Sequence, residues 1–132
     1  MITKASIKLI KSLRKKKHRN TEGLFVVEGV KIVDELINSQ FTIFKIFATS
    51  EWILSHDINS VELIEVSESD LLKISNLKTP NQVLAVVYIT KFRSSISDIK
   101  KSGFCLVLDK INDPGNLGTI IRICNWFSVK HL

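Results

Sequence analysis

Four short apolar runs spaced along the first ninety residues do most to limit the folds open to this chain. They are Leu24–Glu28, Thr42–Ala48, Val61–Val66 and Val83–Ile89. Each has the length of a strand, and the stretches between them carry helical signals. Val30, Val33, Leu36 and Ile37 share one helical face over 30–38, directly after Gly29. Residues 50–59 read as a short helix. Ser67-Glu68-Ser69-Asp70 has the form of a capping box that starts a helix at Glu68. The order β-α-β-α-β-α-β predicts a small α/β sandwich, with helices covering a sheet. The longest apolar run, Val83–Ile89, is far shorter than the ~18–20 residues of a membrane span, so no membrane partner is expected.

Charge is distributed unevenly. The chain has 19 Lys plus Arg and 13 Asp plus Glu, a net +6. Residues 1–19 hold eight of the cations (Lys4, Lys8, Lys11, Arg14, Lys15, Lys16, Lys17 and Arg19) and no acid, leaving eleven cations against thirteen acids elsewhere. A dispersed basic surface is therefore excluded, and a local footprint for a polyanion is favoured. Ile7, Ile10 and Leu13, with Leu9, make one apolar stripe and predict an amphipathic helix over 4–17, followed by a turn at 18–23. The other reading of the cations is a solvated helix face that keeps the chain soluble. Cys105 and Cys124 sit among apolar residues and read as small buried hydrophobes in a reducing cytoplasm. The three histidines have no metal-ligand spacing.

Residues 91–103 are polar and rich in Ser and Lys, which reads as a linker between a domain at 1–90 and a second beginning at 104. Phe104–Leu108 reads as a strand of the kind buried on both faces of a parallel sheet. A loop, Asp109–Asn116, and a helix, Leu117–Phe127, follow, with Leu117, Ile120, Ile121, Cys124 and Phe127 on one stripe. One β-loop-α unit cannot bury its own apolar face. The expectation is a second domain that has begun and is cut short; the alternative is an extension of the first domain's sheet.

The loop and helix carry the residues with chemical potential. Asp113 before Pro114 suits an N-cap followed by proline at the first helical position. Gly115 and Gly118 allow close approach of a backbone or ligand. Asn116 can donate its amide to a phosphate or a base. Arg122 falls nearly opposite the apolar stripe and points away from its own core. The plainer alternatives are a tight strand-to-helix turn and a solvated arginine. Neither a dinucleotide fingerprint nor a P-loop is present. Trp52 and Trp126 read as packing residues, Trp126 being the better candidate for exposure because it lies one turn from Arg122.

The run Leu108-Asp109-x-Ile111-x-Asp113-Pro114-x-Asn116-x-Gly118-x-Ile120-x-Arg122, continuing to Phe127, resembles the first motif of the SpoU (TrmH-type) RNA ribose methyltransferases of the SPOUT class. Arg19 and the stretch Phe25-Val26-Val27-Glu28-Gly29-Val30-Lys31 are similar to that family's accessory domain. The resemblance implies a ribosomal-protein-like α/β/α substrate-binding domain, then the first βα unit of a trefoil-knotted catalytic domain. It also implies methyl transfer from S-adenosylmethionine to a ribose 2′-hydroxyl of tRNA or rRNA. Arg122 would be the catalytic arginine and Asn116 would orient it or the substrate. RNA would be the partner of Lys11, Arg14, Lys15, Lys16, Lys17 and Arg19. The family's later motifs, which bind the cofactor, are not in these residues, so the chain alone is expected to be inactive. A homodimer is implied for the full-length enzyme.

Ser128 stands where the family usually has glycine, so strain is expected there if the position needs a positive φ. Glu28 reads as a structural carboxylate paired with a nearby cation such as Arg19. Two other functional classes stay open: a non-catalytic ribosomal-protein-like RNA-binding module, and a chain serving mainly protein association. A pure binding module has no need of the Asn116-to-Arg122 arrangement.

Overall fold

A computed structural model describes residues 2–58, 61–90, 99 and 104–132. The chain divides into two compact units, 1–90 and 91–132, and each is considered by itself. The stretch read as a linker lies, apart from residue 99, outside the described residues.

The first unit contains α1 (Lys4–Ser12), α2 (Lys16–Glu22), β1 (Leu24–Glu28), α3 (Val30–Ile37), β2 (Ile43–Ala48), α4 (Ser50–Leu54), β3 (Leu63–Glu65), α5 (Glu68–Ile74) and β4 (Val83–Tyr88). The sheet order is β1-β4-β2-β3, with β4 antiparallel to both neighbours and β2 parallel to β3. Side chains of β4 alternate between two cores. Leu84 and Val86 meet Ile10 and Leu13 from the α1 side and Leu71 and Ile74 of α5. Val83, Ala85 and Val87 meet Val33 and Leu36 of α3 and Trp52 of α4. This is the α/β/α sandwich. It also explains the continuous apolar run, because a strand covered on both faces has no polar side. Trp52 is a packing residue, 1% exposed.

Local capping follows the expected chemistry at α5. The Ser67 hydroxyl accepts from the Asp70 backbone N–H at 3.2 Å. Lys73 donates to the Asp70 carboxylate at 2.7 Å, which holds that carboxyl below its ordinary value.

The N-terminal segment departs from expectation. The single helix over 4–17 is instead two helices, separated at Leu13–Lys15, and the expected turn at 18–23 lies mostly within α2. Lys15 is extended, with ψ 129°, and α2 ends on Gly23 in the left-handed region at φ 66°. The residues of α2, Lys-Lys-His-Arg-Asn-Thr-Glu, have no apolar periodicity and give no helical signal. What supports α2 is contact. Arg19 donates to the carbonyl oxygens of Leu13 (3.1 Å) and Arg14 (2.9 Å), acceptors left open beyond the end of α1. The α4 helix is also shorter than 50–59, ending at Leu54.

In the second unit a helix, α6, spans Pro114–Trp126 and starts three residues earlier than the apolar stripe suggested. The expected strand is not formed: the described residues 104–108 are irregular. A bond from the Leu106 N–H to the His131 carbonyl, at 3.0 Å, joins them to the end of the chain. Two members of the expected stripe are also exposed: Ile121 and Phe127, the latter by 73%. Leu117 and Ile120 are half-buried and Cys124 is buried, whereas Cys105 is only half-buried.

Candidate functional site

The α6 N-terminus is built as its residues require. Asp113 is the N-cap, and its carboxylate accepts from the Asn116 N–H at 2.6 Å. Pro114 follows at the first helical position, where a missing N–H costs nothing. A side chain at Gly115 would come within 3.1 Å of the Asp113 carboxylate, while one at Gly118 would meet no described atom within 4 Å. Gly118 thus leaves open surface beside the helix, as a site for close approach needs.

Asn116, Thr119, Arg122 and Trp126 are all exposed, at spacings of three, three and four residues. They form one slanting row; Thr119, Arg122 and Trp126 lie away from Cys124, whereas Asn116 sits at the edge of the apolar stripe. Asn116 and Arg122 are about 9 Å apart along the axis. No hydrogen bond joins them among the described residues, so within one chain Asn116 does not hold the guanidinium directly. Trp126, 84% exposed, lies next to Arg122, as its spacing predicted.

The helix ends in a Schellman motif. The Val129 N–H donates to the Cys124 carbonyl at 2.7 Å and the Ser128 N–H to that of Asn125 at 3.2 Å. Ser128 has φ 56°. The position does require the left-handed region, and serine occupies it at a cost of about 1 kcal/mol relative to glycine.

The basic residues of the first unit divide into two kinds. Lys11, Lys15, Lys16 and Lys17 are exposed at and beyond the end of α1. The two arginines are tethered. Arg14 donates to the Ser75 carbonyl at 2.8 Å, and Arg19 to the two carbonyls above. Glu28 does not pair with Arg19. Its carboxylate accepts from the Ser75 hydroxyl and from the Asn76 N–H at 3.0 and 3.2 Å. Arg19 instead turns its Nη1 to the two carbonyls of the α1–α2 corner. Both residues therefore belong to one chain of contacts running Glu28, Ser75, Arg14, Arg19, which ties β1 and the end of α5 to the basic corner. Ser75 and Asn76 gave no sequence signal as site residues, although a Ser-Asn pair closing a capped helix favours side chain-to-backbone bonds.

Leu13, Arg14, Arg19, Phe25, Val26 and Asn76 line a surface hollow at this corner. Among the described residues no group of three or more His, Cys, Asp or Glu side chains could hold a metal, and no helix is long and apolar enough to cross a membrane.

Residues 4–85 match the family described as the MRM3-like substrate binding domain, and the chain belongs to that family. Its relatives are RNA methyltransferases of the SpoU/TrmH type. It is 29% identical over 113 residues to 23S rRNA (guanosine(2553)-2'-O)-methyltransferase RlmP of Bacillus subtilis, covering 85% of this chain and 44% of that protein. A solved structure from Porphyromonas gingivalis, assigned to the TrmH family of RNA methyltransferases, superposes with TM-score 0.79 at 30% identity, over 99% of this chain and 51% of that one. An rRNA methyltransferase from Sinorhizobium meliloti superposes with TM-score 0.71 at 28% identity, over 96% and 49%. The chain thus spans about half the length of the proteins it resembles.

Proposed function

We propose that residues 1–90 bind the RNA substrate of a ribose 2′-O-methyltransferase, that 91–103 link, and that 104–132 open the SPOUT catalytic domain. The parent enzyme would transfer a methyl group from S-adenosylmethionine to tRNA or rRNA. The observation that carries this reading is α6. Its Asp113-capped start, the open surface at Gly118 and the outward row of Asn116 and Arg122 have no use in a module that only binds.

The chemistry asked of these residues is limited. A ribose 2′-hydroxyl is a poor nucleophile and must be positioned and relieved of its proton. A guanidinium stays protonated and is no base. Arg122 would instead stabilise developing oxyanion charge, or orient an RNA phosphate that takes the proton. S-adenosylmethionine supplies the electrophilic methyl group when bound. The hollow beside α6 is lined by Phe104, Leu106, Ile123, Cys124, Phe127, Ser128 and Val129. These side chains offer no carboxylate for ribose hydroxyls or for the ammonium of the donor. This lining does not fit the donor. The isolated chain is therefore inactive on this reading, and the full-length enzyme is a cytoplasmic homodimer.

Two tests apply. Charge reversal at Lys15, Lys16 and Lys17 should weaken RNA binding and flatten its salt dependence, by about 0.7 in log–log slope for each single-strand phosphate no longer neutralised. Unchanged affinity and slope would remove the N-terminal footprint. The coding sequence beyond codon 132 should encode glycine-rich, Ser/Asn-containing cofactor motifs. An unrelated sequence there would remove the enzyme reading.

A further inference from the structure

We propose that the hollow at the α1–α2 corner holds one backbone phosphate of the bound RNA between the guanidinium groups of Arg14 and Arg19. This rests on the RNA reading above and adds a built site to it. The lysines beside the hollow are long, exposed and untethered, so they act as mobile point charges. The arginines differ. Each is fixed by carbonyl oxygens, Arg14 by Ser75 and Arg19 by Leu13 and Arg14. A guanidinium has five N–H donors, and the bonds observed employ only Nη2 of Arg14 and Nη1 of Arg19. The remaining donors have no partner among the described residues.

Two anchored guanidinium groups with free donors, at one hollow, form a preorganised anion receptor. The rest of the lining fits this use. Leu13, Phe25 and Val26 make an apolar floor, which lowers the local dielectric and strengthens a charge-assisted bond. Asn76 is exposed at the rim and its side chain is unengaged among the described residues. Among the described residues no carboxylate lines the hollow. The acid linked to it, Glu28, already accepts from the Ser75 hydroxyl and the Asn76 N–H. Lys15, Lys16 and Lys17 continue the positive track along the chain, which suits an anion whose charges recur, as in an RNA backbone, better than a small isolated anion. The lysines then supply affinity, and the arginine pair fixes where the strand lies.

The test uses the 132-residue chain and a labelled oligouridylate titrated at several salt concentrations. Asn76→Glu places a negative charge at the rim without touching the tethering bonds. It should weaken binding about tenfold and lower the salt slope by the equivalent of about one phosphate, with the urea midpoint unchanged. In the wild-type chain, the Nε–Hε NMR signals of Arg14 and Arg19 should shift on adding RNA. If the wild-type chain binds no RNA, the proposed function fails and this inference with it. If it binds while Asn76→Glu retains wild-type affinity, or the two arginine signals stay still, the hollow is not the phosphate site although the RNA reading stands. Should Asn76→Glu prove unstable, the arginine signals alone decide.

Discussion

Replacing Glu28 by alanine separates two accounts of this residue. Its carboxylate accepts from the Ser75 hydroxyl and the Asn76 N–H. A hydrogen bond to a charged group contributes about 1.5–3 kcal/mol. Ser75 is buried, so its hydroxyl loses the bond without gaining water. Asn76 is exposed, and its amide regains a water partner. Glu28 itself is half-buried, which screens part of the charge. The expected loss is therefore about 2–3 kcal/mol rather than the full value of two charged bonds. Urea unfolding followed by tryptophan fluorescence measures it. Trp52 is buried in the first unit, and a Trp126→Phe background removes the exposed second fluorophore. Double-mutant cycles then assign the partner. Glu28→Ala with Ser75→Ala should show coupling of at least about 1 kcal/mol, and Glu28→Ala with Arg19→Ala less than about 0.5 kcal/mol. A larger coupling to Arg19 than to Ser75 would restore the ion pair suggested by the sequence and refute the chain of contacts from Glu28 through Ser75.

The two ends of α6 give further expectations. Ser128→Gly should relieve the left-handed strain by about 1 kcal/mol, which slows hydrogen exchange of the Ser128 and Val129 amides roughly fivefold; unchanged exchange would mean the Schellman geometry is not held in solution. Asp113→Ala should cost about 1 kcal/mol of helix stability and fray the turn that carries Asn116, seen as faster exchange at the Asn116 amide, whereas Asp113→Asn should retain most of the cap.

Much of this molecule follows from short-range rules. The strands at 24–28 and 83–88, the cap at Ser67, the Asp113-Pro114 helix start and the outward aspect of Arg122 were legible because each depends on a side-chain period or on a group bonding within a few residues; the left-handed demand at Ser128 was legible only through the family resemblance, which has glycine there. The same rules failed wherever the decisive partner lay far along the chain. The α2 helix has no apolar face, and its support comes from Arg19 reaching back to carbonyls that exist as acceptors only once α1 has ended. Arg19 and Glu28 carry the right charges to pair, yet Ser75 and Asn76, nearly fifty residues from Glu28, take the carboxylate because the fold brings the residues that follow α5 to the end of β1. The central place of β4 in the order β1-β4-β2-β3 is likewise a matter of long-range pairing. Phe104–Leu108 shows the opposite limit. Its sequence is that of a buried strand, yet the described residues 104–108 form no regular strand, and Phe104 and Val107 are exposed. Sequence alone determined which segments favour strands and most of the helices, and that eight cations gather in the first nineteen residues. The tertiary structure decided which polar groups are spent on holding the fold and which, at the Arg14–Arg19 corner, keep donors free.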